Sequence, residues 1–487
     1  MTRKLKQAVK KIVLIRPRNK LKRYSYPPMS FLSLGSVLEK EYQVKIIDVM
    51  LEKDYKKTIL NECRDALLVG ITAMTSEVPN GIEISDMIKE KYPELSIVWG
   101  GTHPTFLPKQ TVVDKSVDFV IIEEGEYSLL RLAKSLKNSE KIIREKSFID
   151  LEKLPPIAYH LVDVEKYVMK THPKDGSRIR WLPYQSSRGC PHRCTFCHNS
   201  ILKRGYRTKS TKKVLDEIEN MIKTYNIQYF SFLDDNFFVD IKRVEKICKG
   251  IIKRKMNVKW FAECRADYFG NTVDNRMLRL LKKAGWVHST IGAESGSPRM
   301  LKLLKKDITP DHMINAARMC KKYGVISKFS FIIGTPGETR EDVKITLKLI
   351  KKLKEIDPDC IAPVNIFFLV PGCEIYNELV NRGMLEAPKT LRDWAKKDYQ
   401  RMFIDGYTKD EYILNAGFYH MLTSKYNRKQ INTTIKRFRI WLYPFLFFIF
   451  LAKFRCKYDL YRIPIDKHIY SFMSDVYLKI RSVKRSF

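Results

Sequence analysis

The stretch Arg188-Gly-Cys-Pro-His-Arg-Cys-Thr-Phe-Cys-His198 indicates both the fold class and the chemistry of this chain. Its three cysteines, Cys190, Cys194 and Cys197, are spaced so that their thiolates can bind three irons of a 4Fe–4S cluster. Clusters that only carry electrons use four cysteines, so this group would leave one iron open to a small-molecule ligand. The alternatives are a zinc site completed by a neighbouring histidine, or thiols that are simply buried.

The same loop resembles the signature of the radical SAM enzymes, including the aromatic Phe196 just before the last cysteine. In that family S-adenosylmethionine (SAM) binds the open iron, and its reductive cleavage yields a 5′-deoxyadenosyl radical. The resemblance therefore implies a 4Fe–4S cluster as metal centre, SAM as a second cofactor, and an electron donor such as flavodoxin or ferredoxin.

The composition indicates the number of domains, the cellular compartment and the kind of partner. The 487 residues are enough for two or three domains, and the seven other cysteines show no disulfide-like spacing, which predicts a reducing cytoplasm. The charged N-terminus does not read as a signal peptide. The net charge of +36 either favours a polyanionic partner or reflects lysines, such as the pair Lys305-Lys306, that coat helix faces. No nucleic-acid recognition motif is present.

The N-terminal third alternates apolar runs with segments of helical periodicity. Continuous apolar runs are typical of parallel strands buried on both faces, so this part predicts a doubly wound α/β sheet. Ligands of such sheets bind at the carboxyl ends of the strands. The predicted strands are Lys11–Ile15, Gln43–Asp48, Ala66–Thr72, Ser96–Gly100 and Phe119–Ile122.

The turns after these strands resemble those of cobalamin-binding domains fused to radical SAM barrels. The resemblance implies bound cobalamin; the alternative is a sheet used only for packing. The Asp-x-His-x-x-Gly motif that ligates cobalt elsewhere is absent, so the cobalt would lack that histidine. The turn Glu123-Glu-Gly-Glu126 carries glutamate where the family usually has its first glycine. The implied cofactor-binding residues are Thr72, Thr75, Gly100, Gly101 and His103.

Six further strand–helix repeats predict a partial (β/α)6 TIM-like barrel, with its chemistry at the carboxyl ends of the strands. The intervening segment Val214–Ile222 has one apolar helix face. The predicted domains are a cobalamin-binding-like domain (1–140), a linker (141–180), the radical SAM barrel (181–385) and a helical C-terminal region (386–487). The predicted barrel strands are Leu182–Ser187, Tyr229–Leu233, Lys259–Glu263, Ser289–Ala293, Lys328–Ile333 and Ile361–Leu369.

Polar or glycine-rich turns follow four successive barrel strands, and the resemblance implies that they surround SAM. The acidic turn would accept hydrogen bonds from the methionine ammonium, the arginine would bind the carboxylate in bidentate fashion, and the next glutamate would hold ribose hydroxyls. The glycines would let the backbone approach the adenine closely. Helix caps and surface ion pairs are the alternatives. These residues are Asp234, Asp235, Arg265, Glu294, Gly334, Pro336 and Gly337.

The C-terminal region is basic, aromatic and mostly helical, and its most apolar run is Ile440–Ala452. This run contains Pro444 and is shorter than the roughly 20 residues that span a bilayer. Cations flank it on both sides, which fits a segment lying in a membrane interface. A helix buried beneath the barrel fits equally.

The sequence therefore predicts a cytoplasmic radical SAM enzyme, peripheral to a membrane, that acts on a small-molecule or lipid substrate. The first hypothesis is cobalamin-dependent methylation of an unactivated carbon. The second is a radical SAM cyclase or oxidative carbon–carbon bond former acting on a lipid or tetrapyrrole. The third is a non-catalytic cobalamin or redox sensor. No catalytic side chain is assigned.

Overall fold

The computed structural model describes residues 10–19, 26–171, 178–202, 205–396, 408–424, 443–458, 460–461 and 466–467. Contacts divide the chain into a first unit (Met1–Met169, Arg180–Ile227 and Leu369–Ile404) and a second unit (Lys170–Ile179, Gln228–Phe368 and Asp405–Phe487). These units do not test the predicted domain bounds, which stay predictions.

Strands and helices alternate along most of the described chain. The strands are β1 Lys11–Arg16, β2 Gln43–Asp48, β3 Ala66–Thr72, β4 Ser96–Gly100, β5 Phe119–Ile122, β6 Ile142–Arg144, β7 Met169–Thr171, β8 Arg178–Tyr184, β9 Ser187–Arg188, β10 Arg207–Thr208, β11 Tyr229–Phe232, β12 Lys259–Arg265, β13 Trp286–Glu294, β14 Ile326–Ile333 and β15 Val364–Ile366. The helices are α1 Met29–Leu38, α2 Tyr55–Cys63, α3 Val78–Lys91, α4 Thr102–Phe106, α5 Pro108–Val112, α6 Glu126–Lys134, α7 Glu165–Val168, α8 His198–Leu202, α9 Thr211–Tyr225, α10 Ile241–Lys253, α11 Asn275–Lys283, α12 Pro298–Leu303, α13 Pro310–Lys322, α14 Arg340–Ile356, α15 Glu374–Asn381, α16 Glu411–Ser424 and α17 Tyr443–Tyr458.

The first unit contains a parallel sheet in the order β2-β1-β3-β4-β5-β6. Every residue of β1 is buried, as expected for a strand covered on both faces. The strand order reverses between β1 and β3, and a doubly wound sheet binds its ligand outside the carboxyl ends at such a point. The predicted doubly wound fold is confirmed, with β6 as a strand that the sequence did not predict.

The second unit contains β11 to β15 as consecutive parallel neighbours of a curled, half-barrel sheet. Along β14, half-buried side chains alternate with buried ones. The strand register places Glu263, Thr290 and Lys328 side by side on the more open face. Cys264, Ile291 and Phe329 share the opposite, buried face. The predicted partial barrel is therefore confirmed.

The first and last predicted barrel strands had the wrong bounds. The strand predicted at Leu182–Ser187 is β8, which begins four residues earlier, at Arg178. Charged residues concealed its start: Arg180 interrupts the apolar pattern, and its outward guanidinium pairs with Glu165 at 2.7 Å.

The last predicted strand, Ile361–Leu369, contracts to Val364–Ile366. Proline has no backbone N–H to donate to a neighbouring strand, so Pro363 limits regular pairing before β15. Ile361 contributes only an isolated bridge to Lys328.

The described part of the C-terminal region, which the sequence predicted to be helical, contains the two helices α16 and α17. Of the apolar run Ile440–Ala452, the first three residues lie outside the described ranges. Among the helices that the structure describes, none combines the length and the apolar character needed to cross a membrane.

Candidate active site

The cysteine loop follows β9 and is held by the backbone around it. Gly189 has φ +87°, a left-handed conformation that favours glycine. A turn brings the Cys197 amide to 3.1 Å from the Cys194 carbonyl oxygen, and the Thr195 carbonyl accepts from the Ile375 amide at 3.3 Å. Cys194 is buried, whereas Cys190 is partly exposed.

The donor set of this loop fits an iron–sulfur cluster, because three thiols outside any disulfide lie on one short segment. Across the described ranges, no group of three or more His, Cys, Asp and Glu side chains is arranged to hold a metal ion. Ligation of a cluster by Cys190, Cys194 and Cys197 therefore stays a prediction.

The predicted cobalamin residues come together at the switch point of the first sheet. The Ala73 amide donates to the Gly100 carbonyl at 2.9 Å, which joins the turns after β3 and β4. Gly101 has φ +93°, and a Cβ there would lie 2.6 Å from Thr72 Oγ1. Only glycine fits this position, because a side chain there would collide with Thr72 and Ala73 of the preceding turn. The turns lie at the edge where a doubly wound sheet binds its ligand, so their position fits a cofactor there.

His103 is fixed inside this cluster of turns. Its Nδ1 lies 3.1 Å from Thr75 Oγ1, and its ring meets Trp394 edge-on at 5.4 Å between centroids. Burial lowers the pKa of His103 to about 3, so the imidazole is neutral at physiological pH. Its Nε2 is buried without a hydrogen-bond partner among the described residues, so the role of His103 toward a cofactor stays a prediction.

Glu123 occupies the position where the family usually has glycine, with φ +66°. A left-handed backbone costs a non-glycine residue about 1–2 kcal/mol. The Glu123 amide donates to Thr105 Oγ1 at 2.9 Å, and its carboxylate pairs with Arg144 of β6. Arg144 therefore balances the extra charge that the sequence placed in this turn.

Four of the predicted SAM residues lie at the carboxyl ends of β11, β12 and β13. Asp234 is buried and Asp235 is exposed. Displacement of water by surrounding protein raises the pKa of Glu263, although that carboxyl remains reachable by solvent. Lys328 opposes the rise, while the nearby charges of Glu294 and Asp235 add to it. These acidic side chains therefore share one electrostatic environment.

Arg265 is buried and already makes several hydrogen bonds. Its Nε donates to Asp267 at 2.9 Å, and its Nη2 donates to Asp267 at 3.3 Å and to the Lys306 carbonyl at 2.6 Å. These bonds use the edge of the guanidinium best suited to bidentate binding. A ligand carboxylate would bind Arg265 through Nη1.

Glu294 forms a buried ion pair that the sequence did not predict. Lys306 Nζ lies 2.8 Å from Glu294 Oε1, and the two side chains are 9% and 8% exposed. Glu294 has φ +60°, a strained conformation typical of functional positions. The prediction that Lys305-Lys306 coats a helix face is wrong for Lys306, which lies beyond the end of α12 and turns inward.

The glycine-rich turn after β14 is also tightly built. Gly334 has φ +82°, and a Cβ there would lie 2.7 Å from Thr408 Cγ2. Gly337 has φ +79°, and Pro336 beside it is partly buried. The Glu338 carboxylate accepts from the Gly334 and Thr335 amides, and burial raises its pKa to about 7.

Comparison with known proteins identifies the family. Residues 184–350 match the radical SAM superfamily and residues 22–133 match the B12 binding domain. An uncharacterised methyltransferase of Pyrococcus horikoshii is 30% identical over 398 residues, 77% of this chain and 84% of that protein. The chain belongs to the B12-binding radical SAM enzymes.

Further relatives of this radical SAM enzyme include cyclases. The anaerobic magnesium-protoporphyrin IX monomethyl ester cyclase of Rubrivivax gelatinosus is 27% identical over 334 residues, 64% of this chain and 58% of that protein. The fold is similar to that of the radical SAM methyltransferase TsrM from Kitasatospora setae, solved with cobalamin and a 4Fe–4S cluster bound. The TM-score is 0.62 at 18% identity, covering 78% of this chain and 76% of that one.

Family membership confirms the predicted enzyme class and the two cofactor-binding modules. It argues against a non-catalytic sensor, because the matched relatives are methyltransferases and cyclases. Enzymes of this family act on small molecules and draw on an electron donor. The roles of individual residues in this radical SAM enzyme stay predictions.

Sequence reasoning missed several residues of these sites. Several of these side chains lie close to a candidate residue in the sequence, but charged residues are also common at the surface, so the pattern gave them no role. The available signal was an acidic or basic residue beside a predicted site residue. The residues that received no predicted role are Glu124, Arg188, Arg207, Asp267 and Lys306.

We expect replacement of His103 by Ala to leave the cobalt absorption spectrum of bound hydroxocobalamin unchanged. The neutral ring is hydrogen-bonded to Thr75 through Nδ1 and packs against Trp394. We therefore expect its loss to remove packing and no cobalt ligand. The free energy of unfolding should fall by about 1–3 kcal/mol. Absorption spectra and thermal melts of the reconstituted full chain check both expectations. A spectral change typical of losing an axial ligand would show that His103 binds cobalt.

Proposed function

We propose that this enzyme methylates an unactivated carbon of its substrate, with SAM at a 4Fe–4S cluster and cobalamin at the first sheet. The observation that carries the proposal is the position of the turns after β3 and β4, which lie together at the switch point where a doubly wound sheet binds its ligand. The match to 84% of an uncharacterised methyltransferase supports it. We place the reaction in the cytoplasm, with electrons from a donor such as flavodoxin or ferredoxin.

The proposed roles of the residues follow from their chemistry. Cys190, Cys194 and Cys197 would hold the cluster. When bound, the cluster with SAM supplies a hydrogen-abstracting radical and cobalamin supplies the methyl group. Asp234 and Asp235 would accept hydrogen bonds from the methionine ammonium group of SAM.

The remaining SAM contacts would come from preorganised side chains. Arg265 is fixed by Asp267 and the Lys306 carbonyl, so its Nη1 would meet the SAM carboxylate without reorganisation. Glu294, held by Lys306, would accept hydrogen bonds from the ribose hydroxyls. Gly334, Pro336 and Gly337 would lie against the adenine.

Methyl-labelled SAM tests the proposal. The reconstituted full chain, with hydroxocobalamin and a reductant, is incubated anaerobically with a small-molecule and lipid extract of its source cells. We expect products that carry one labelled methyl group and are absent without reductant. A matched incubation with unlabelled SAM identifies the same products by mass.

A cyclase is the second candidate, favoured by the Rubrivivax gelatinosus relative at 27% identity. The same incubation distinguishes it, because ring formation or oxidative bond formation removes hydrogen and adds no methyl group. Release of 5′-deoxyadenosine with unlabelled, hydrogen-poor products would establish the cyclase and contradict methylation.

We also propose peripheral association with anionic membranes through α17. Phe447, Phe450, Phe454 and Tyr458 recur at helical spacing along one face and are 47–66% exposed. The opposite face, with Phe448, Ile449 and Ala452, is buried and packs toward α16. Such an aromatic face is suited to the membrane interface. The exposed cations along this helix are Lys453 and Lys457.

We expect the intact enzyme to sediment with phosphatidylserine-containing vesicles at low salt and less so at high salt. Each nearby cation contributes roughly 1 kcal/mol with anionic lipid. Replacing Phe450 and Phe454 by Ser should weaken binding about tenfold or more, because each ring contributes on the order of 1 kcal/mol when partly inserted. Exposed Val113 and Met384, replaced by Ser, are the matched control and should have no effect. Absence of binding at low salt would contradict the proposal.

A further inference from the structure

A buried charge network in the first unit joins the start of the cysteine loop to the turn between β5 and α6. Arg188 Nη2 donates to Glu126 Oε1 at 2.6 Å, and Ser33 Oγ donates to the same oxygen at 2.7 Å. Arg188 Nη1 lies 3.3 Å from Glu124 Oε1. The guanidinium of Arg188 is therefore fixed by Glu124 and Glu126, two of the three glutamates of the turn.

A second arginine completes the network. Arg207 lies directly opposite Arg188 in the antiparallel strands β9 and β10. Two like charges at such positions repel each other unless acidic groups balance them. Glu124 accepts from Arg207 at 2.6 and 3.0 Å while also facing Arg188. Two carboxylates thus balance two guanidiniums. Glu124 and Glu126 are only 5% and 4% exposed, and buried charges persist only when geometry satisfies them.

The chain between this network and the first cysteine has little freedom. Arg188 stands two residues before Cys190, and the residue between them is Gly189. A Cβ at Gly189 would overlap the Gly205 carbonyl oxygen, so the backbone there is packed against its neighbour. The position of Arg188 and the packing of Gly189 therefore restrict where the first cysteine can lie.

At its other end, the network meets the ligand edge of the first sheet. Glu124 and Glu126 follow β5 and flank Gly125, the residue before α6. Carboxyl ends of strands in doubly wound sheets face the ligand. An ion pair that served stability alone could lie anywhere in the unit, as the pairs of Arg392 with Asp86 and Asp114 do.

We propose that Arg188 is a positioning residue that fixes the cysteine loop against the turn after β5. It would thereby keep the loop that holds the cluster at a constant position relative to the sheet edge that holds cobalamin. The inference rests on the proposed function, because it takes Cys190 as a cluster ligand. Arg188 acts through the loop and the turn and touches neither cofactor. Groups that orient metal ligands in this way typically cost about 10- to 100-fold in metal affinity when they are lost.

The test compares Arg188→Lys with Arg392→Lys in the reconstituted full chain. Lysine keeps the positive charge but loses the planar fork, so Glu124 and Glu126 stay neutralised while their geometry relaxes. Arg392 makes a comparable fork with Asp86 and Asp114 within the same unit. The measurements are iron per chain, the electron paramagnetic resonance spectrum of the reduced cluster, and the change in that spectrum on adding hydroxocobalamin.

We expect Arg188→Lys to lower iron affinity about tenfold or more and to abolish the spectral response to hydroxocobalamin. Arg392→Lys should leave both unchanged, with a similar small loss in melting temperature. Glu126→Gln, which keeps the Arg188–Glu124 pair, provides a second variant with the same expected spectral effect if Arg188→Lys does not fold.

Wild-type spectra and a wild-type response in both Arg188→Lys and Glu126→Gln would overturn the inference, and so would equal changes in Arg392→Lys. The proposed function fails separately. In that case the wild-type chain itself would bind no cluster, or would keep its cluster when Cys194 is replaced.

Discussion

Replacement of Cys194 by Ala is expected to abolish the release of 5′-deoxyadenosine from SAM. With only three cysteines grouped in the loop, each thiolate would hold one iron, and two ligands cannot retain a site-differentiated 4Fe–4S cluster. Iron per chain should fall with the activity. The measurements are iron analysis of anaerobically reconstituted protein and chromatography of the nucleoside product after reduction.

The fold of this variant should persist. Cys194 is 8% exposed, and shortening one buried thiol costs about 1 kcal/mol, a small part of the stability of a chain this size. The matched control is Cys320→Ala, since Cys320 is fully buried and burial raises the pKa of its thiol, which keeps it protonated and inert. Cys320→Ala should keep cluster and activity. Cleavage by Cys194→Ala at the wild-type rate would show that other side chains hold the cluster.

Sequence patterns predicted the central strands β1, β3 and β4 of the first sheet well because these strands are mostly buried. The runs at β2 to β5 have the predicted bounds, since each begins and ends where apolar residues give way to polar turns. Strand β8 shows the limit of that rule. Arg180 points outward to Glu165 while Trp181 beside it is buried, so a half-polar alternation concealed the start of the strand.

The candidate sites were predictable only where one short segment carries the chemistry. The cysteine loop, the acidic turn and the glycine turns are local motifs. Arg188 and Glu126 are 62 residues apart, and no periodicity connects them. The residues around Lys306 in the sequence are typical of the protein surface. Lys306 is nevertheless buried, because the chain turns inward after the end of α12. Which charges turn inward depends on tertiary packing, so the pattern alone could not show it.

The ion pair of Glu294 with Lys306 is expected to give the largest stability effect among the candidate SAM residues. Both side chains are more than nine-tenths buried, and the pair is 2.8 Å apart. Removing one charge from a buried pair leaves the other uncompensated, which costs about 3–5 kcal/mol. Glu294→Gln and Lys306→Met should each lower the free energy of unfolding by this amount. Denaturant unfolding of the full chain measures it.

The double variant separates the structural from the catalytic role of Glu294. With both charges removed, no uncompensated charge is left in the protein, so the stability loss should be smaller than that of Lys306→Met alone. SAM binding should respond differently, because Lys306→Met keeps the carboxylate that would hold the ribose hydroxyls, whereas the double variant lacks it. We therefore expect the double variant to be more stable than Lys306→Met and yet to bind SAM more weakly, measured by equilibrium dialysis. SAM affinity that simply follows stability across the three variants would show that Glu294 supports the fold and does not contact SAM.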